Sequence, residues 1–285
     1  LTTIRKARKR QRLDAFRGSH PRAIERKFRN ELLRRIRLTA RVAQDAVQEV
    51  VELYGADIDH LARQDSTEKI VKIITQEIIG VRLAVKGFWT DRDITDFATE
   101  IAGQVDMFET RQTARQWSSV VGVDPLFGDQ LTQSLIKEFS MTNLRLIKDM
   151  PDQFLFQVQN ELVEAVRNGQ RAEVFQDTVQ ERLGVAESRA KLIARDQIGS
   201  IAGGITETRQ RELGVTRYRW STSNDERVVG NPSGLYPKVT SPRMHGNHYD
   251  RDGEIFNWAE PPQDGHPGRP INCRCTASPV VEDLL

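Results

Sequence analysis

Between residues 25 and 214, apolar side chains return every three to four positions, and this pattern restricts the chain to packed helices. In "ERKFRNELLRRIRLTARVAQDAVQEVVELYG" the stripe runs through Phe28, Leu32, Leu33, Ile36, Val42, Val47, Val50 and Leu53, with Gly55 as the expected stop. "STEKIVKIITQEIIGVRLAVKG" and "DRDITDFATEIAGQVDMFETRQTARQW" repeat it, the latter with Thr90 or Asp91 as cap. A Gly- and Pro-containing breaker, "VVGVDPLFGD" at 120–129, predicts a domain boundary. Beyond it, "QLTQSLIKEFSMTNLRLIKDM" is expected to end before Pro151. "PDQFLFQVQNELVEAVRNG" then starts on Pro and stops at Gly169. A short helix capped by Gly184 and a long one ending at Gly214 complete the set. In that last helix Gly199, Ala202, Gly203 and Gly204 leave room for another backbone to approach.

The texture changes at residue 215. "VTRYRWSTS" alternates in the manner of a strand, and "EIFNWA" is a second short strand candidate. Between them, 224–252 is long, polar and poor in apolar anchors, which marks it as functional or as held by something other than a core. The expected fold class is therefore α+β and mostly α-helical. A helical N-terminal region precedes a C-terminal domain of helices plus a small β-sheet with long loops.

The 285 residues are 38% hydrophobic and 29% charged, enough apolar material for a core. No apolar run reaches the ~20 residues of a membrane helix, so no membrane partner is expected. The net charge of +2 hides an asymmetry: residues 1–41 hold 15 Lys/Arg against 3 Asp/Glu, and the rest holds 27 against 37. A basic arm on an acidic body can neutralise phosphates or dock on an acidic protein surface. Arg5, Lys6, Arg8, Lys9, Arg10 and Arg12 are the candidate DNA- or protein-binding cations. Only Phe16 and Phe28 are aromatic there, so base stacking is not expected. The solvated helix face is the simpler alternative.

Both cysteines, Cys273 and Cys275, and three of the five histidines lie between 245 and 275. A disulfide across C-x-C would close a strained ring, so reduced thiols or metal thiolates are expected. His248 (or His245), His266, Cys273 and Cys275 make a chemically reasonable zinc set, since tetrahedral zinc takes Cys and His. A metal clip would serve a loop-rich region with little core. The alternative is that the cysteines are small buried hydrophobes and the histidines hydrogen-bonded loop residues. A Cys–His nucleophile, or His with Asp/Glu acting on a phosphodiester, is also conceivable. No P-loop, oxyanion hole or nuclease motif accompanies either, so an enzyme is not expected. Asp225 and Arg227 suggest a turn and an ion pair, and Asp252-Gly253 a turn before a strand.

The ordered set "RAKLIARDQI", Q-x-E-x-G-V-x-x-Y-x-W, T-S-x-D-E-R-V, a His four residues before "DG", then "EIF", "PP", "HP", "NCRC" and a final "PV" resembles the phage minor head proteins of the Mu F type. The likeness covers about residues 130–280. It implies a structural head morphogenesis protein of a tailed phage; with the charge split and the helical pattern, the chain divides into a basic arm and helix start (1–41), a helical portal- or partner-binding region (42–122) and a Mu F-like domain (123–285). It further implies low copy number, a place inside the head at the portal vertex, and a part in head assembly and in DNA packaging or ejection. The implied partners are the portal protein, the scaffold or major capsid protein, and packaged DNA. The family pattern carries over to Trp220, Asp225, Arg227, His248, Asp252, Gly253, His266, Pro267, Cys273, Arg274 and Cys275. Many relatives place a C-x-x-C after the "DER" element; here that place reads "VVGNPSG", followed by the insertion-like "LYPKVTSPRM". Any metal must then rely on histidines. The other function consistent with these residues is a metal-dependent nuclease or toxin-like effector delivered with the DNA.

Overall fold

The computed structural model describes residues 17–60, 64–128, 130–239 and 246–280. Its helices are α1 (Arg22–His60), α2 (Gln64–Val85), α3 (Asp91–Val121), α4 (Gln130–Arg167) and α5 (Val174–Glu212), with one 3₁₀ turn at Lys86–Phe88. Three short strands follow: β1 (Arg217–Ser221), β2 (Ile255–Asn257) and β3 (Thr276–Val280). The chain is thus mostly α-helical with one small antiparallel sheet, the expected fold class.

It divides into two compact units, each assembled from discontinuous segments. One comprises Lys27–Phe97 and Met141–Ile193; the other gathers Ala98–Ser140 with the segments up to Arg26 and from Ala194 on. Their limits fall inside helices rather than at the 120–129 breaker.

Among the described residues, the regular structure of the first unit is all helical. Most of the stripe read from the sequence is its core: Phe28, Leu32 and Ile36 on α1, Ile70, Ile74 and Ile78 on α2, Phe154, Leu155 and Val158 on α4, and Phe175 and Val179 on α5 are all buried, whereas Leu53, expected in the stripe, is exposed because α1 turns it away from the packed face. Burial of that order contributes roughly 1.5–3 kcal/mol per large side chain and overrides local breakers. So α1 runs through Gly55 to His60, α4 runs through Pro151, and α5 runs through Gly184. Pro151 removes one hydrogen bond from α4, but it is buried between Met150 and Phe154 in sequence and the helix continues. Asp59, past the expected stop, accepts a hydrogen bond from the backbone N–H of Ala172 at 3.0 Å. Thr90 caps α3, its Oγ1 accepting from the Asp93 N–H at 3.2 Å. The segment 22–41, the later part of the basic stretch, is the first half of α1 and not a free arm.

In the second unit, α5 ends in a Schellman motif. Gly214 at φ 76° lets the Val215 N–H reach Gln210 O (2.9 Å) and its own N–H reach Arg211 O (2.9 Å). The chain then reverses into β1, the central strand of the order β2-β1-β3. Tyr218 pairs with Phe256 on one side and Pro279 on the other; Trp220 pairs with Ala277. β3 does not announce itself in the sequence. It contains Pro279, and an edge strand tolerates the missing N–H. Tyr218, Trp220, Trp258, Cys273, Cys275 and Ala277 form one buried cluster, with Phe256 packed against it. Gln210 on α5 ties it down: its Nε2 donates to Ala277 O (2.9 Å) and its Oε1 accepts from Trp258 Nε1 (3.1 Å).

Candidate metal centre

The loop 264–275 lies against the small-residue face of α5. A Cβ on Gly203 would stand 2.4 Å from Pro267 O, and one on Gly199 would stand 2.8 Å from Cys273 O. These glycines admit the loop backbone, as the sequence suggested. The loop then turns at Asn272 (φ 61°), whose Oδ1 accepts from Arg195 Nη1 at 3.1 Å, and Cys273 N–H closes the turn on Pro270 O at 3.0 Å. Both cysteines thereby face His248, delivered from the long loop between β1 and β2.

The His248 Nδ1 lies 3.7 Å from Cys273 Sγ and 3.6 Å from Cys275 Sγ. All three residues are buried, and their donor atoms fall within 4.8 Å of one another. The other face of the ring is fixed: His248 Nε2 meets Asp264 Oδ2 at 3.0 Å. Asp264, wholly buried, also accepts from Arg251 Nη1 (2.6 Å) and from the Gly246 N–H (2.6 Å). The Gly268 N–H points at Cys273 Sγ, 3.4 Å away. Trp220 packs edge-on to His248 at 5.1 Å, with the Arg251 guanidinium 5.0 Å over its ring.

Electrostatics follow from this arrangement. Burial would drive His248 toward the neutral form; the hydrogen bonds to Asp264 and Cys273 outweigh it and raise the imidazole to about 9. Asp264 is pulled far below the usual carboxylate range: burial opposes ionisation, but His248, the Gly246 amide and Arg251 overcome it. Burial would also raise Cys273; the Cys275 thiol, His248 and the Gly268 N–H instead hold it well down. Cys275 is pushed up by the neighbouring Cys273 and by burial.

The donor set fits a tetrahedral divalent ion. Bonds of about 2.0–2.1 Å to nitrogen and 2.3 Å to sulfur at tetrahedral angles put N and S about 3.6 Å apart. His266 stands outside this triad. Its Nδ1 accepts from the buried Tyr218 hydroxyl at 2.8 Å, and it packs edge-on against Trp258 at 4.8 Å. Burial lowers its basicity, so it serves as a neutral core histidine. Of the four expected ligands the structure brings together three.

The other signature residues support the loops. Asp252 Oδ1 accepts from Thr222 N–H (2.9 Å) and Thr222 Oγ1 (3.0 Å). Gly253, at φ 87°, donates to Trp220 O at 2.8 Å. Asp225 forms the expected turn with the Arg227 N–H (3.0 Å), but its ion pair is with Arg22 at 3.9 Å. Arg274 makes a two-pronged pair with Glu25 (2.7 and 3.1 Å), and His20 meets the same carboxylate at 2.7 Å. Arg5, Lys6, Arg8, Lys9, Arg10 and Arg12 lie outside the described residues. In the described part of the basic segment, Arg17, Arg22, Arg34, Arg35 and Arg37 each have a carboxylate partner. Sequence reasoning missed Asp264, Arg251 and Glu25. The signal for Asp264 was that a ligating histidine nearly always gives its second nitrogen to a carboxylate.

The triad borders a pocket of about 250 Å³ that is also lined by Arg195, Asp225, Arg227, Lys238 and Arg274. Among the described residues, no helix is long and apolar enough to cross a membrane.

Residues 156–235 and 231–278 match the family described as "Phage Mu protein F like protein". The chain is also 34% identical, over 142 residues, to an uncharacterised protein of Haemophilus influenzae. That similarity covers 50% of this chain but only 28% of the relative. No solved structure matches. The matched segment takes in the end of α4, all of α5, the whole sheet but its last residues, and the His–Cys–Cys triad, so the likeness to Phage Mu protein F lies in the C-terminal part of this chain.

Proposed function

We propose that the chain is a minor structural protein of a tailed-phage head, seated inside the head at the portal vertex. The observation that carries this reading is the match to the Mu F-like family, whose segment coincides with the part of the chain that folds around the buried sheet and triad. On this reading it acts in head assembly and in DNA packaging or ejection, in several copies around the portal protein, with scaffold or major capsid protein as further neighbours. It is made in the host cytoplasm and ends in the virion. The part is non-catalytic: the buried pairs Glu25–Arg274 and His248–Asp264 serve to hold loops. DNA contact is assigned to Arg5, Lys6, Arg8, Lys9, Arg10 and Arg12. The arginines from 17 to 37 named above already answer carboxylates of the protein itself.

The test is sedimentation of the purified full-length protein with portal rings of the same phage. Co-migration at a fixed ratio supports the reading. Protein that stays at the top of the gradient with rings, and is missing from purified heads, overturns it. Metal-dependent cleavage of DNA or RNA, abolished in His248→Ala, would replace it with the delivered-effector function.

A further inference from the structure

We infer that His248, Cys273 and Cys275 bind one zinc ion with three protein ligands, and that its fourth coordination position opens into the adjoining cationic pocket, where it takes an exchangeable anionic oxygen donor of the phosphate class. The inference does not rest on the head-protein reading.

Three observations converge. The first is geometric. Nδ1 of His248 is equidistant, within 0.1 Å, from the two sulfurs at 3.7 and 3.6 Å, the separation tetrahedral zinc imposes. A Cys–His nucleophile needs one thiol close to the ring and leaves the second unexplained. The second is the outer layer. Asp264 fixes the far nitrogen of His248 and is itself held by Arg251 and the Gly246 amide. Each sulfur also has a donor directed at it. The Gly268 N–H serves Cys273. The Trp220 indole N–H is buried with no nitrogen or oxygen partner, and Cys275 is the acceptor in its reach. An indole N–H gains most from a thiolate acceptor, and a cation seated between the two sulfurs is what would keep both of these adjacent buried groups as thiolates. Soft sulfur with imidazole in tetrahedral array selects zinc over magnesium or calcium.

The third observation is the pocket. All three ligands line it, and no fourth His, Cys, Asp or Glu joins them among the described residues. Its cations are Arg195, Arg227, Lys238 and Arg274, against Asp225 alone. Arg274 is matched by Glu25 and Asp225 by Arg22, so the remaining charge is positive. Arg195 Nε is buried there without a hydrogen-bond partner. An oxyanion held in the pocket would offer that donor an acceptor.

The experiment uses the full-length protein expressed with zinc, then exchanged with cobalt(II). About one zinc per chain by elemental analysis is expected. Cobalt should give the visible and sulfur-to-metal charge-transfer bands of a tetrahedral two-sulfur site. Inorganic phosphate should shift the visible bands saturably, and Arg195→Gln should raise the phosphate concentration needed by about tenfold while leaving the charge-transfer bands in place. His245→Ala and His266→Ala should keep the metal, whereas Cys275→Ser should lose it. Metal-free protein with two freely titrating thiols overturns the site. Loss of metal in His245→Ala or His266→Ala, or bands indifferent to phosphate, overturns the open position.

Discussion

The helical unit and the sheet-bearing unit solve the same problem by opposite means. In the first, long stripes of Ile, Leu, Val and Phe are buried along α1, α2, α4 and α5, and no single contact decides the outcome. In the second, a sheet of three short strands is held by a few specific devices: glycines that admit a loop, Gln210 tying the β3 backbone to the Trp258 indole, a buried aromatic cluster, and paired charges. Apolar burial is distributed and forgiving, so local faults such as Pro151 are absorbed. Specific devices are concentrated, so each is a point of failure.

The sharpest break of this contrast pairs two substitutions of very different size. Phe154→Ala should cost about 3–5 kcal/mol in chemical denaturation, with faster hydrogen exchange in helical-unit peptides. Gly203→Ala adds one methyl against the Pro267 carbonyl. It should cost about 3 kcal/mol and accelerate exchange in 264–280. Equal costs from deleting six heavy atoms at one site and adding one at the other would confirm the difference; a cost below about 1 kcal/mol for Gly203→Ala would undo it.

Next is Arg274→Ala, which strands the Glu25 carboxylate in a buried place. A loss of about 3 kcal/mol is expected at pH 7. Burial opposes ionisation of Glu25, but His20 and Arg274 lower it to about 2. Its contribution is therefore present above the unfolded value near 4.5 and fades as pH falls toward 2. The variant should match the parent more closely at pH 2 than at pH 7, measured by denaturant midpoints.

Glu109 has the opposite sign. Burial raises it to about 8 despite hydrogen bonds from Thr206 and Gln112. The folded state then keeps a proton that the unfolded state gives up near 4.5, so stability falls as pH rises from about 4.5 to 8. Between pH 5 and 7 that is about 2–3 kcal/mol, and Glu109→Gln should flatten the profile. The smallest effect belongs to Thr90→Ala, which removes the α3 cap at a cost of about 1 kcal/mol confined to that helix start.

Periodicity made the helices legible, but their ends less so. Gly55, Pro151 and Gly184 are local signals, and the buried faces around them decide otherwise. β3 was hidden because "TASPV" neither alternates nor avoids proline; only its place at the sheet edge makes it a strand. At the centre, residue type singled out Cys273, Cys275 and His248, since such side chains rarely cluster without purpose. His266 carried the same signal and went elsewhere, because the chain offers it Tyr218. Nothing in its sequence neighbourhood distinguishes a ligand from a core histidine. Asp264 sits among turn formers in "QDGHPG" and reads as a loop residue until His248 is beside it.

The Glu25–Arg274 pair also has a meaning in time. The two residues are 249 positions apart, so at ~5–20 residues per second a ribosome needs roughly 12–50 s to deliver the second after the first. For that interval Glu25 and the α1 start wait without the partner that lowers their charge's cost. The sheet-bearing unit is therefore a late event in the life of each chain, closing only after the earlier helices have had ample time to form.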